Sequence, residues 1–232
     1  MTEPTPQSRL PRTGVILLVG VMLLIACGAL MVWLPHLRKQ QAIAEIERLG
    51  GTTQLKVVPL AQSSWMQAWR INNEDERVWE VDLHGTQVGD AGLAPLSLLP
   101  HIEQLLLDNT QVGNVGLGNL RGLSKLKNLS LHSTQVGDAG MVHLNELTNL
   151  WQLGLYKTQV GDAGLEQFKG LTKLENLILD ETQVSDAGLE HLSGLVNLKY
   201  LSLIKTKVTE KGVQKLQKAL PSCEIRWKWP SP

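Results

Sequence analysis

The sequence predicts an α/β solenoid, with a parallel sheet on its concave face and short helices on its convex face, preceded by one hydrophobic span. Three observations carry this prediction. From Val78 onward Thr recurs at a fixed interval, at Thr86, Thr110, Thr134, Thr158, Thr182 and Thr206, and Gly recurs in step at Gly92, Gly116, Gly140, Gly164, Gly188 and Gly212. Two residues past each Thr stands a Val, from Val88 to Val208, without an insertion anywhere. Leu makes up 43 of the 232 residues beside one Phe and two Tyr, so branched aliphatics fill the core. A period of about 20–29 residues is one strand plus one helical turn, a unit that buries its apolar face only by stacking on its neighbours.

The N-terminal elements concern a membrane. Residues 1–14 are a polar tail with Arg9 and Arg12, and residues 15–34 carry no charge. At about 1.5 Å per residue that span reaches about 30 Å, the thickness of a bilayer core, so it is predicted as a single-pass transmembrane helix or signal anchor. Trp33, Arg38 and Lys39 supply an interfacial aromatic and a basic stop. Basic residues flank both sides, so the expected orientation, tail inside, rests on the short tail and on the folded mass lying C-terminal. The alternative is a lipoprotein: Leu24-Ile25-Ala26-Cys27 has the spacing of a lipidation box with Cys27 as the lipidated residue. The apolar run Gly28 to Leu34 disfavours it, because a lipoprotein continues with a polar tether. Either route holds the remainder at a membrane, expected on the extracytoplasmic side, periplasmic or at the cell surface.

Residues 36–77 are read as a small α/β head that caps the array. Ala42, Ile43, Ile46 and Leu49 fall at helical spacing before Gly50-Gly51, TTQLKVVP follows as a strand, Trp65, Met66 and Trp69 as a short apolar turn or helix, and Asn72 to Arg77 as a charged link. Residues 78–222 form six repeats and residues 223–232 a closing strand and C-terminal cap. Val81, Leu105, Leu129, Leu153, Leu177, Leu201 and Ile225, with Leu83 to Trp227 two residues on, alternate as inward strand positions. Leu93, Leu117, Met141, Leu165, Leu189 and Val213, and a second column three residues later, pack the convex helices onto them. Trp65, Trp69 and Trp79 at the front and Trp227 and Trp229 at the back are placed to cover the ends.

These motifs resemble the bacterial leucine-rich repeat proteins of the planctomycete type, whose repeats carry T-x-V-x-D-x-G-L and whose last repeat runs into a sequence like Ala219 to Ile225. The resemblance implies a horseshoe solenoid acting as a protein-interaction scaffold, non-enzymatic and without a cofactor. The repeats also resemble those of F-box adaptors of ubiquitin ligases, though no F-box is present; a structural role in the cell envelope is a further alternative.

Several residues look catalytic and have plainer readings. Asp90, Asp138, Asp162 and Asp186, with Asn114 and Glu210 in their column, open the convex helices and are expected to cap them. The Thr hydroxyls are expected to bond nearby backbone. Gly113, Gly116 and Gly118 fit no phosphate-loop spacing, and the histidines show no H-x-x-x-H pairing for a metal. Cys27 and Cys223 are too few for a disulfide framework or a Cys-based zinc site. Balanced totals, 22 basic and 22 acidic, exclude a uniformly basic nucleic-acid binder, and no small-molecule substrate is indicated. Residues 78–197 nevertheless carry 14 acidic and 6 basic side chains, and residues 198–232 carry 2 and 8, so charge is polarised along the array.

The candidate binding surface is the concave face, where columns vary while the core does not. Gln104, Asn128, Gln152, Asn176 and Tyr200 form one column, Leu106 and Ile178 belong to the next, and Asp108, His132, Tyr156 and Asp180 to the third. Tyr156, Tyr200, Leu106 and Ile178 are the preferred anchors, since a hot spot needs aromatic or apolar burial inside a polar rim. Seven strands at about 4.8 Å by four residues at about 3.3 Å give roughly 400 Å², half of the approximately 800 Å² per partner of a standard interface. A peptide fits the sheet alone; a tight protein partner must add the rim, including Gln87, Gln111, Gln135, Gln159 and Gln183.

Overall fold

The computed structural model describes residues 33–59 and 74–228. The chain divides into residues 1–41 and residues 42–232. In the first unit the described residues, 33–41, are helical, and among all described residues no helix is long and apolar enough to cross a membrane. Most of the predicted span 15–34, Cys27, Trp65, Trp69 and Trp229 lie outside the described residues.

The second unit opens with helical residues 42–48, which bury Ala42 and Ile46 in the common core. Gly50, at φ 86°, ends this helix in the left-handed region, and Gly51 N–H donates to Ile46 O at 2.9 Å. Strand β1 (Thr52–Pro59) then pairs antiparallel with β2 (Glu74–Asp82). From β2 the sheet is parallel through β3 (Gln104–Leu106), β4 (Asn128–Ser130), β5 (Gln152–Gly154), β6 (Asn176–Ile178), β7 (Tyr200–Ser202) and β8 (Glu224–Arg226), in that spatial order. One expectation is corrected here: Glu74 to Arg77 is strand, not a charged link, and the sheet is mixed rather than wholly parallel. The antiparallel ladder with β1 supplies partners for these backbone groups, which outweighs the weak strand preference of the charged residues.

Register follows the repeat without slippage: Val81 lies beside Leu105, then Leu129, Leu153, Leu177, Leu201 and Ile225. The inward columns from Val81 to Leu201 and from Leu83 to Leu203 are buried, as are the convex columns, in one continuous core. Ile225 and Trp227 pack on its far end half-buried, with Lys228 Nζ 4.2 Å above the Trp227 ring. The convex segments change from tight 3₁₀ turns at the front to α-helices at the back. Asp90–Leu98 and Gly116–Leu120 are 3₁₀, whereas Asp186–Leu192 and Glu210–Ala219 are α.

Each coil leaves the sheet through a left-handed residue: Gly85, then Asn109, Ser133, Lys157, Glu181 and Lys205, the last five at φ 53–57°. The Thr that follows secures the turn, its hydroxyl donating to the carbonyl three residues back at 2.6–2.8 Å, as from Thr110 to Leu107 and from Thr182 to Leu179.

The Asp column departs from expectation. The side chains of this column from Asp90 to Asp186 do not cap their own helices; each reaches across to the next repeat. Asp90 accepts Gly113 N–H at 2.6 Å, Asn114 accepts Gly137 N–H at 2.7 Å, Asp138 accepts Gly161 N–H at 2.6 Å, Asp162 accepts Ser185 N–H at 2.7 Å and Asp186 accepts Thr209 N–H at 2.7 Å. Ser185 and Thr209 add hydroxyl bonds at 2.6 Å. The Thr209 hydroxyl and amide hold the Asp186 carboxyl below its ordinary range. This ladder accounts for the Gly column: a Cβ on Gly116, Gly164, Gly188 or Gly212 would strike the carboxylate of the preceding repeat.

Candidate functional site

The concave columns assemble as the register requires. Glu80, Gln104, Asn128, Gln152, Asn176, Tyr200 and Glu224 lie side by side, and Asp82, Leu106, Ser130, Gly154, Ile178, Ser202 and Arg226 form the adjacent row. All eleven predicted binding residues are half-buried, none fully exposed, because short side chains such as Gly154 and Ser202 let their neighbours lie against the sheet. Where those strands end, His84, Asp108, Asn109, His132, Ser133, Tyr156, Ile178 and Asp180 line a cavity of about 350 Å³. It brings together five of the predicted residues. Gln104, Leu106, Asn128, Gln152, Asn176 and Tyr200 lie on the sheet outside it.

Three of the predicted side chains, Asp108, His132 and Asp180, also serve the frame. Asp108 Oδ1 accepts the Ser130 hydroxyl at 2.5 Å and His132 N–H at 2.8 Å. Asp180 Oδ1 repeats the arrangement with the Ser202 hydroxyl and Ile204 N–H, both at 2.6 Å. Two repeats with Ser on the sheet and Asp one repeat earlier thus build the same bracket. His132 Nδ1 accepts Tyr156 N–H at 2.9 Å, which requires that nitrogen to be unprotonated. Burial holds the His132 imidazole below its ordinary pKa range, against the opposing pull of Asp108 and Asp180. The ring lies over Gly154, where a Cβ would overlap it, and meets Tyr156 edge-on at 6.0 Å and 66°. Gly154 and its role under His132 were not singled out in the sequence; a lone Gly interrupting a strand column of larger residues is the signal that marks it.

Two predicted features are softened. Tyr200 is not an open anchor, since the Arg226 guanidinium stands 5.3 Å above its ring and is itself held by Glu224 at 2.8 Å. The basic end is largely paired: Lys199 with Glu175, Lys205 with Glu181 and Lys215 with Glu190, each at 2.7 Å, and Lys228 with Glu210 at 3.6 Å. Ion pairs at such exposed positions add little stability, but they offset part of the local field. Another cavity, of about 340 Å³, lies where the strands begin and is lined by Lys56, Arg77, Trp79, His101, Glu103 and Lys127 among others. There Lys127 bonds Glu103 at 2.8 Å and holds that carboxyl below its ordinary range. Among the described residues no group of His, Cys, Asp and Glu is placed to hold a metal ion.

No family model matches this chain, and no curated protein matches it. Solved structures do. A leucine-rich repeat protein of Leptospira interrogans superposes with a TM-score of 0.50 at 22% identity, over 58% of this chain and 33% of that one. The chain has the leucine-rich repeat fold. Two internalins of Listeria monocytogenes share this leucine-rich repeat likeness: one at 19% identity over 71% of this chain and 53% of its own, and internalin C2 at 22% over 78% and 85%, both with a TM-score of 0.50. The chain thus spans about half the length of the first internalin and a third of the Leptospira protein.

Proposed function

We propose that this chain is a membrane-tethered, non-catalytic interaction module whose concave leucine-rich repeat face binds a protein or peptide partner. The observation that supports this reading is the combination of half-buried Tyr156, Ile178 and Leu106 with an acid-flanked cavity on a face joined from coil to coil by the inter-repeat ladder. A preorganised surface loses little conformational freedom on binding, so modest contact area suffices. Tethering runs through residues 15–34, with the repeats on the extracytoplasmic side and residues 36–77 serving as the cap. The partner, on this reading, is an extended segment or a protein that adds the rim to the contact.

The test compares proteins cross-linked in cells by the full chain and by Gln152→Arg and Tyr156→Ala variants, with Lys218→Ala on the convex side as control. A partner lost with the first two and kept with the third is expected. Retention by all three would refute the concave assignment. Mass spectrometry of the mature N-terminus tests the anchor: a chain retaining residues 15–34 is expected, and one that starts at lipidated Cys27 would contradict it.

A further inference from the structure

The two brackets on the concave face are evenly disposed about its aromatic centre. Asp108, His132, Tyr156 and Asp180 occupy the same position in successive coils, and their strands pair in register. Asp108 and Asp180 are therefore three strand steps apart, about 14 Å at about 4.8 Å per step. In both, Oδ1 is committed to the frame. Oδ2 of Asp180 has no partner among the described residues, and Oδ2 of Asp108 faces only the exposed His84 Nδ1 at 3.8 Å. Between them lie His132, whose Nδ1 is an acceptor and so carries no proton, the Tyr156 ring and Ile178. No Lys or Arg lines this cavity.

An extended chain rises about 3.3 Å per residue and turns alternate side chains to one face. Four residues cover about 13 Å, which matches the separation of the two carboxylates, and residues i, i+2 and i+4 then face the sheet together. We infer that the concave face takes an extended peptide running across β3 to β6, with Arg or Lys at i and i+4 and an apolar or aromatic residue at i+2. The two cations pair with the outward oxygens of Asp108 and Asp180, and the middle side chain lies on His132, Tyr156 and Ile178. The charge complementarity is specific, because both carboxylates are already oriented by two hydrogen bonds each and need no reorganisation to meet a guanidinium. This inference rests on the concave-face reading and sharpens it to a partner class.

The experiment uses the full chain in detergent micelles and fluorescein-labelled Gly-Arg-Ser-Leu-Ser-Arg-Gly-amide, read by anisotropy. The composition-matched isomer Gly-Arg-Ser-Leu-Arg-Ser-Gly-amide, with arginines three apart, should bind about tenfold more weakly. Asp108→Asn and Asp180→Asn keep an oxygen for the frame and remove the charge; each should weaken the first peptide about tenfold without changing the circular dichroism spectrum. Equal affinity for the two isomers, with both lost on Gln152→Arg, would overturn the spacing inference and leave the concave reading standing. Binding that survives both Asp substitutions and Gln152→Arg would place the peptide elsewhere and overturn the inference. No binding of either peptide would overturn the inference alone, since the cellular cross-linking test judges the broader reading independently.

Discussion

Gly188→Ala isolates the inter-repeat ladder. Gly188 lies inside the α-helix Asp186–Leu192, so on helix preference alone the change to Ala should stabilise by about 1 kcal/mol. The structure predicts the opposite sign. The added Cβ would occupy the space of the Asp162 carboxylate, which accepts Ser185 N–H at 2.7 Å and the Ser185 hydroxyl at 2.6 Å. Displacing that carboxylate removes two charge-assisted bonds, each worth about 1.5–3 kcal/mol, and leaves a half-buried amide unsatisfied. Set against the helix gain, a net loss of about 2–5 kcal/mol is expected. Urea unfolding followed by circular dichroism measures it, with Gly194→Ala as the reference, because a Cβ at Gly194 meets nothing within 4 Å. The Asp162→Ala, Gly188→Ala double variant should be less destabilised than the sum of the two, since removing the carboxylate removes the clash. A neutral or stabilising Gly188→Ala, or simple additivity with Asp162→Ala, would refute the ladder.

Further outcomes follow from the site. Gly154→Ala should push His132 off the sheet and break its bond from Tyr156 N–H, so concave ligand binding should fall while the repeats stay folded; unchanged binding would show that the His132 position is immaterial. Burial lowers the pKa of His132 and His143, so the unfolded chain takes up those protons first; their stabilising contribution is complete above about pH 6.5 and is lost as pH falls through the depressed values. Melting temperature should therefore drop from pH 7.5 to 5.5, less steeply in His132→Asn, and a flat profile would contradict this. The Cys223 thiol is buried and pushed up to about 11, so it should resist a thiol reagent at pH 8 in the native chain and react after unfolding; rapid native labelling would contradict its burial.

The fold was legible because a solenoid repeats its own evidence: each core column is sampled once per coil, and the register that joins Val81 to Ile225 follows from the period alone. The direction of the Asp contacts was not legible. A carboxylate that opens a helix satisfies a local cap and a bond 23 residues onward with the same sequence pattern, and only the placement of the Gly Cβ positions separates the two. Strand β2 extends back through Glu74–Arg77 because β1 returns beside it, a pairing between segments outside the repeat that periodicity does not report. Within the candidate site the columns were readable, but their rank was not. Tyr200 depends on Arg226 of the next coil, and the cavity depends on Gly154 making room for one imidazole. Both are single-copy contacts, invisible to an argument built on recurrence.

The central claim, that the concave face is the binding surface, is tested most directly by placing a photo-crosslinking amino acid at Gln152 on the sheet, at Gln159 on the rim and at Lys218 on the convex helix of the full chain in its native membrane. One discrete adduct is expected from Gln152, a weaker adduct of the same partner from Gln159, and none from Lys218. A strong adduct from Lys218 with none from Gln152 would contradict it.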